Sequence, residues 1–137
     1  MKIIIPMSGY GERFRIAGYK KPKPLIEVEG LPIIAHVINM FSSDDEFTFI
    51  CNKEHINSKE FNLYNTLIKL APKSKIVEID PHKKGPIYAV LQGIDYIDKN
   101  LPTIVNYCDF NCIFNGFRNI IKEIFHLIFR FKIVIHT

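Results

Sequence analysis

The sequence predicts an α/β domain in which a mostly parallel β-sheet is covered by helices on both faces. Three observations carry this expectation. Short apolar runs alternate with helix-period stretches from one end of the 137 residues to the other. The first run, Lys2–Pro6, is continuously apolar after its lysine, as in a strand buried on both faces rather than on one. No Gly-, Ser- or Pro-rich linker interrupts the alternation, and the length suits a single domain over residues 1–137.

The elements follow in order. Lys2–Pro6 is the first strand and enters a glycine-containing turn. Pro32 opens a helix, because proline suits a first helical position, and Ile33, Val37, Ile38 and Phe41 fall on one face. Phe47–Cys51 is a second short strand. Phe61–Leu70 places Leu63, Leu67 and Leu70 at helical spacing and is stopped by Pro72. Lys75–Asp80 is a third strand, and Pro86–Ile97 a helix presenting Ile87, Val90, Leu91 and Ile94. Thr103–Cys108 is the fourth strand. Phe117, Ile120, Ile121, Ile124, Phe125 and Ile128 recur at the spacing of an amphipathic helix. Phe129–His136 alternates apolar with polar residues, which predicts a fifth strand.

Composition excludes several classes. Hydrophobic residues make up 47% and charged residues 23%, too apolar for a disordered chain. No repeat or biased tract suggests collagen, a coiled coil or a mucin-like stalk. The net charge is +4, but residues 1–112 hold 14 basic and 13 acidic side chains, and the last 25 residues hold 4 and 1. A nucleic-acid binder spreads its basic excess along a face or a reading element, so no nucleic-acid partner is expected. No uncharged apolar run is long enough to span a bilayer, and the N-terminal run is too short for a secretory signal. The basic excess of the last helix would also suit a membrane surface. Its apolar face, however, is what any sheet-covering helix shows, so no membrane partner is expected. Cys51, Cys108 and Cys112 are an odd, sparse set that fits a reducing compartment, and the chain is expected in the cytoplasm.

Ligands of parallel sheets bind beyond the C-terminal strand ends, and two loops expected there are rich in chemistry. The first is Pro6-Met7-Ser8-Gly9-Tyr10-Gly11-Glu12-Arg13-Phe14. Its glycine pair lets backbone N–H groups approach phosphate oxygens, although an ordinary tight turn explains Gly9-x-Gly11 equally well. It is not the dinucleotide fingerprint, because Phe14 holds the third glycine position, so a domain binding NAD is disfavoured. No Gly-Lys-Ser/Thr follows, which removes a Walker A loop. Arg13 comes next, and then Lys20-Lys21-Pro22-Lys23-Pro24, in which two prolines keep Lys23 out of helix and hold it in one direction. An arginine fork and a lysine point charge aimed at one place suit a triphosphate, and a solvated basic loop is the plainer alternative. The second loop is Asn106-Tyr107-Cys108-Asp109-Phe110-Asn111. Its aspartate can hold Mg²⁺ through oxygen, or form an Asx turn or helix cap.

Together these segments resemble the nucleotidyltransferase family that makes sugar nucleotides and related activated phosphates. The resemblance rests on Gly9-Tyr10-Gly11-Glu12-Arg13, on Pro22-Lys23-Pro24 and on Leu25–Ile33, which is similar to the family's strand–Gly–x–Pro–helix entry. It extends to Lys84-Gly85-Pro86-Ile87-Tyr88-Ala89, like the glycine turn beside the nucleobase, and to Asp109, where the family keeps a metal-binding aspartate. The resemblance implies a three-layer α/β/α Rossmann-like sheet of the nucleotide-diphospho-sugar transferase type. It implies Mg²⁺-dependent nucleotidyl transfer from an NTP, with CTP or UTP/dTTP favoured, to a sugar phosphate or similar phosphorylated acceptor. Pyrophosphate would be released, in the setting of cell-surface or capsule polysaccharide precursor synthesis. Met7, Ser8, Gly9, Tyr10, Gly11 and Gly85 would bind the nucleotide. Arg13 would hold the departing phosphates, Lys23 would neutralise charge between the α-phosphate and the acceptor phosphate, and Asp109 would anchor Mg²⁺.

The sequence also departs from that pattern. Glu12 stands where a small hydroxyl residue is usual, and is expected to point away or to pair with Arg15 or Lys20. Cys108 replaces a glycine, and Asn111 replaces a second acid found in some members. Members are usually longer, so the chain reads as the nucleotide-binding part without the acceptor-binding part. A non-catalytic nucleotide-binding remnant, or half of a complex completed by an oligomer or a complementary segment, is the alternative. Cys108-x-x-x-Cys112 lacks a second ligand pair for zinc, so reduced thiols are expected. His36 reads as a satisfied helix histidine, Asp44-Asp45-Glu46 as a solvated turn, and His82 as a solvated loop histidine, with contact to the nucleotide the less favoured alternative.

Overall fold

The computed structural model describes residues 1–98, 101 and 103–111. The elements in chain order are β1 (Lys2–Met7), α1 (Glu12–Ile16), β2 (Glu27–Val28), β3 (Leu31–Pro32) and α2 (Ile33–Ile38). They continue with β4 (Glu46–Asn52), α3 (Lys53–Ile56), α4 (Leu63–Leu70), β5 (Lys75–Ile79), α5 (Pro86–Gln92) and β6 (Thr103–Val105). Two single 3₁₀ turns, Lys23–Leu25 and Ile94–Tyr96, complete the described elements. The helix expected over Phe117–Ile128, the strand expected over Phe129–His136 and Cys112 lie outside the described residues.

β1 is central. The sheet order is β5-β4-β1-β6, with every pair parallel, and β1 is in register with β4 through Ile5 opposite Phe49 and Met7 opposite Cys51. β1 is buried on both faces, as its uninterrupted apolar run requires. Ile3, Ile5 and Met7 join Phe47, Phe49 and Cys51 in one core, closed by Ile34 and Val37 of α2 and Leu63 and Leu67 of α4. Ile4 faces the other way, with Ile50, Val77, Ile79 and Ala89 of α5. Helices therefore cover both faces of the sheet, which is the three-layer architecture the sequence predicts.

Several local expectations need correction. The inward face of α5 is not the Ile87/Leu91 stripe, since those residues are 76% and 57% exposed. Ala89 is fully buried instead, and a side chain added at Gly93 would come within 2.8 Å of Ile50 Cδ1. Small residues at 89 and 93 let this helix lie close to the sheet, and Gly93 ends it well before Ile97. In α2 the residues turned inward are Ile34 and Ala35 with Val37 and Ile38, while Ile33 is half-buried. β6 stops at Val105, short of Cys108. Lys23 is not kept out of helix: it opens a 3₁₀ turn, with Pro22 before it and Pro24 inside. Asp45 is no solvated turn residue. It is buried, with Oδ1 2.7 Å from the Met1 amino group and Oδ2 accepting from the Ser42 N–H. β2 and β3 form a hairpin across Glu29-Gly30, both at positive φ, as a tight two-residue turn demands. His36 is satisfied there, bonding the Val28 carbonyl at 2.8 Å.

Candidate functional site

β1 delivers Met7 to the C-terminal edge of the sheet, where the chain turns through Ser8–Gly11 into α1. Gly11 makes that turn at φ +64°, and its carbonyl accepts from Phe14 and Arg15 to start the helix. Among the described residues the backbone N–H groups of Gly9, Tyr10 and Gly11 have no backbone acceptor, so they remain donors for a ligand. Gly9 differs from Gly11: its φ is not positive, and a side chain there would meet nothing within 4 Å. It keeps a surface low rather than permitting a bend.

Lys23 reaches the same place from the 3₁₀ turn, whose Pro24 and Leu25 are buried and fix its base. Its ammonium lies 2.5 Å from Asp109 Oδ2 and 5.2 Å from the centroid of the Phe14 ring. Asp109 is presented by the loop after β6, which Asn106 organises from within. The Asn106 backbone N–H donates to the Ile4 carbonyl, and its buried amide donates to the carbonyls of Tyr107 and Phe110. Burial pushes the neighbouring Cys108 thiol up to about 11, although Lys23 pulls it the other way.

The third wall is the loop after β5. Gly85 stands at φ +84° and ψ 174°, a region essentially reserved for glycine, and caps α5. His82 bonds Ser8 Oγ at 3.0 Å through Nε2, and its Nδ1 accepts from the Lys84 N–H at 3.2 Å. The ring packs edge-on to Tyr88, with centroids 4.7 Å apart. Burial, and then the Lys84 charge, hold His82 below the usual histidine range. Glu12 pairs with Lys83 at 2.5 Å, correcting the expected Arg15 or Lys20 partner, and this contact ties the first and third loops together. The Lys83 ammonium keeps the Glu12 carboxyl below the usual carboxylate range.

These walls enclose one cavity of about 550 Å³, lined among others by Met7, Ser8, Gly9, Gly11, Arg13, Lys23, Gly85 and Asp109. Tyr10 lines a second cavity of about 330 Å³ that shares Gly9, Gly11, Arg13, Lys23 and Gly85 with the first. The structure thus gathers every site residue named from the sequence at one edge of the sheet. Among the described residues Arg13 has no acidic partner. The contribution of Ser8 and His82 as a bonded pair, and of Asn106 behind Asp109, is not legible in the sequence. The Asn106 residue type after a strand is its only signal.

Mg²⁺ fits what is present. Magnesium takes one or two carboxylates and completes its shell with phosphate oxygens and water, so a single aspartate at a phosphate site suffices. The Asp109 carboxylate already holds a cation, the Lys23 ammonium. The described residues contain no group of three or more His, Cys, Asp or Glu that would make a self-sufficient metal cage.

No family model matches the chain. It is 31% identical over 105 residues to the 2-C-methyl-D-erythritol 4-phosphate cytidylyltransferase of Bacillus licheniformis, covering 77% of this chain and 43% of that protein. It is 29% identical over 109 residues to the bifunctional protein GlmU of Ralstonia pickettii, covering 80% of this chain and 22% of that one. The chain thus spans less than half the length of these curated relatives. Among solved structures, a nucleoside-diphosphate-sugar pyrophosphorylase from Vibrio cholerae superposes with a TM-score of 0.63 at 23% identity, over 85% of this chain and 52% of that chain. UDP-glucose pyrophosphorylase complexed with UDP-glucose superposes with a TM-score of 0.60 at 21% identity, over 96% of this chain and 54% of that one. These similarities support a nucleotidyltransferase family for the chain. The two structural neighbours show that its sheet and flanking helices have the nucleotide-sugar pyrophosphorylase fold. No helix among the described residues is long and apolar enough to cross a membrane.

Proposed function

We propose that this chain binds a nucleoside triphosphate with Mg²⁺, and that the protein it serves transfers the nucleotidyl group to a sugar phosphate or similar phosphorylated acceptor, releasing pyrophosphate. The observation that carries the reading is the convergence of Gly9, Gly11, Arg13, Lys23 and Asp109 on one cavity, with Tyr10 lining the cavity beside it. In an in-line displacement at phosphorus, negative charge accumulates on the departing pyrophosphate and between the attacking and attacked phosphates. A protein assists chiefly by positioning and by compensating that charge.

Each residue then has a task. The amides of Gly9, Tyr10 and Gly11 and the Arg13 guanidinium hold the phosphates that leave. Lys23 sits between α-phosphate and acceptor. Asp109, with the phosphates, would hold Mg²⁺, which when bound supplies Lewis-acid charge at the α-phosphate. Removing Arg13 or Lys23 is expected to cost about 10²–10³-fold in turnover, as for other single electrostatic donors. The relatives named as cytidylyltransferase and UDP-glucose pyrophosphorylase support a pyrimidine nucleotide, CTP or UTP/dTTP. The unpaired Cys51 and Cys108 support a reducing, cytoplasmic setting.

The test is pyrophosphate release from CTP, UTP and dTTP over a panel of sugar and polyol phosphates, with Asp109→Ala as control. Acceptor-dependent release lost in that variant supports transfer. Nucleotide binding without release from any acceptor favours the second reading, a nucleotide-binding module that lacks an acceptor site. The short span of its relatives that this chain covers is what keeps that reading open.

A further inference from the structure

The hydrogen bonds around His82 fix where its proton lies. A backbone N–H can only donate, so the Lys84 N–H at 3.2 Å makes Nδ1 of His82 an acceptor. The neutral ring then carries its proton on Nε2, and that N–H donates to Ser8 Oγ at 3.0 Å. Ser8 is only 3% exposed, yet it lines the cavity, and one of its oxygen's two lone pairs accepts from His82. Its own hydroxyl proton has no acceptor among the described residues. A nearly buried hydroxyl with an uncommitted proton at a cavity wall is a donor waiting for a partner.

The charges nearby are already engaged. Lys84 Nζ lies 4.5 Å from the centroid of the Tyr88 ring, and Lys83 is paired with Glu12. The wall built by Ser8, His82 and Gly85 is therefore the uncharged part of the cavity, in contrast to the Arg13, Lys23 and Asp109 wall. We propose that Ser8 is a specificity-determining contact that donates its hydroxyl proton to an acceptor atom of the nucleobase, and that His82 is the positioning residue that fixes the hydroxyl in that role. The proposal rests on the nucleotide reading above and deepens it. A phosphate oxygen is the less suitable occupant, because it belongs beside the cations. A pyrimidine carbonyl oxygen supplies the required acceptor.

The test is calorimetric titration of the whole chain with CTP, UTP, dTTP, ATP and GTP, and with inorganic tripolyphosphate as a base-free probe. Wild type is compared with Ser8→Ala, His82→Ala and His82→Gln, each checked for folding by circular dichroism. Ser8→Ala and His82→Ala are expected to weaken the preferred nucleotide about tenfold, the worth of one hydrogen bond, and to leave tripolyphosphate unchanged. His82→Gln, which retains an N–H donor toward Ser8, is expected to recover most of that loss. Ser8→Ala binding nucleotides like wild type overturns the proposal. So does an equal loss for tripolyphosphate, or a Gln variant no better than Ala. If folded wild type binds neither nucleotides nor tripolyphosphate, the nucleotide reading itself fails and this inference falls with it. Binding of both without any preference among bases overturns the inference alone.

Discussion

The Lys23 ammonium rests 2.5 Å from Oδ2 of Asp109, so the two charged groups that a nucleotide would separate hold each other. The side chains are 25% and 39% exposed, and a pair this close to solvent contributes about 0–1 kcal/mol to stability. It is a cheap contact to exchange for phosphate and a divalent cation. Lys23→Ala and Asp109→Ala are therefore expected to unfold within about 1 kcal/mol of wild type in urea. A larger loss would make the pair a structural brace rather than a ligand site at rest.

The glycines of the site separate by role. Gly9→Val should leave stability unchanged, because φ at 9 is ordinary and the space is open, while nucleotide binding falls sharply. Gly11→Ala and Gly85→Ala, at φ +64° and +84°, should each cost about 1–3 kcal/mol of stability. Denaturation and binding measured on the same three variants check this. Gly9→Val binding like wild type would remove the first loop from the site.

Stability should fall on mild acidification. Burial holds His55 and His82 below the ordinary value of 6.5, so the unfolded chain binds more protons than the native one in that window. Their stabilising contribution is complete above 6.5 and is lost as pH drops through the lowered values. Urea midpoints at about pH 7.5 and about pH 5.5 should differ in that sense, and His55→Leu should flatten the slope. His55 is the better reporter, being packed edge-on against Phe61 with ring centroids 5.9 Å apart.

The thiols should be inert in the native protein. Cys108 is pushed up to about 11, Cys51 is raised further still by burial, and the thiolate is the reactive form. Iodoacetamide at neutral pH, with sites assigned by mass spectrometry, should label Cys51 and Cys108 in urea and spare both in buffer. Rapid native labelling of Cys108 would show that the Asp109 loop opens.

Much of this was legible because it depends on short-range pattern. The unbroken Ile3–Ile5 run already dictates a strand buried on two faces, and Gly9-x-Gly11-x-Arg13 with Pro22-Lys23-Pro24 already points to residues that line one cavity. What escaped depends on neighbours distant in sequence. The inward face of α5 is chosen by closeness to Ile50, which favours Ala89 and Gly93 over the more hydrophobic Ile87 and Leu91. Asp45 looks like part of an acidic surface run until the Met1 amino group is found against it. Glu12 finds Lys83 because the β1 and β5 loops share an edge, not because any local spacing joins them. The donor role of Ser8 emerges only once the tautomer of His82 is fixed by Lys84.

The most direct measurement is the affinity of CTP and UTP for wild type, Lys23→Ala and Asp109→Ala, each with and without Mg²⁺. The account predicts that Lys23→Ala loses about ten- to a hundredfold with or without the metal, the worth of one charge-assisted hydrogen bond. It predicts that Asp109→Ala binds like wild type without Mg²⁺ and gains nothing when Mg²⁺ is added. Undiminished binding by Lys23→Ala, or full Mg²⁺ enhancement in Asp109→Ala, would contradict it.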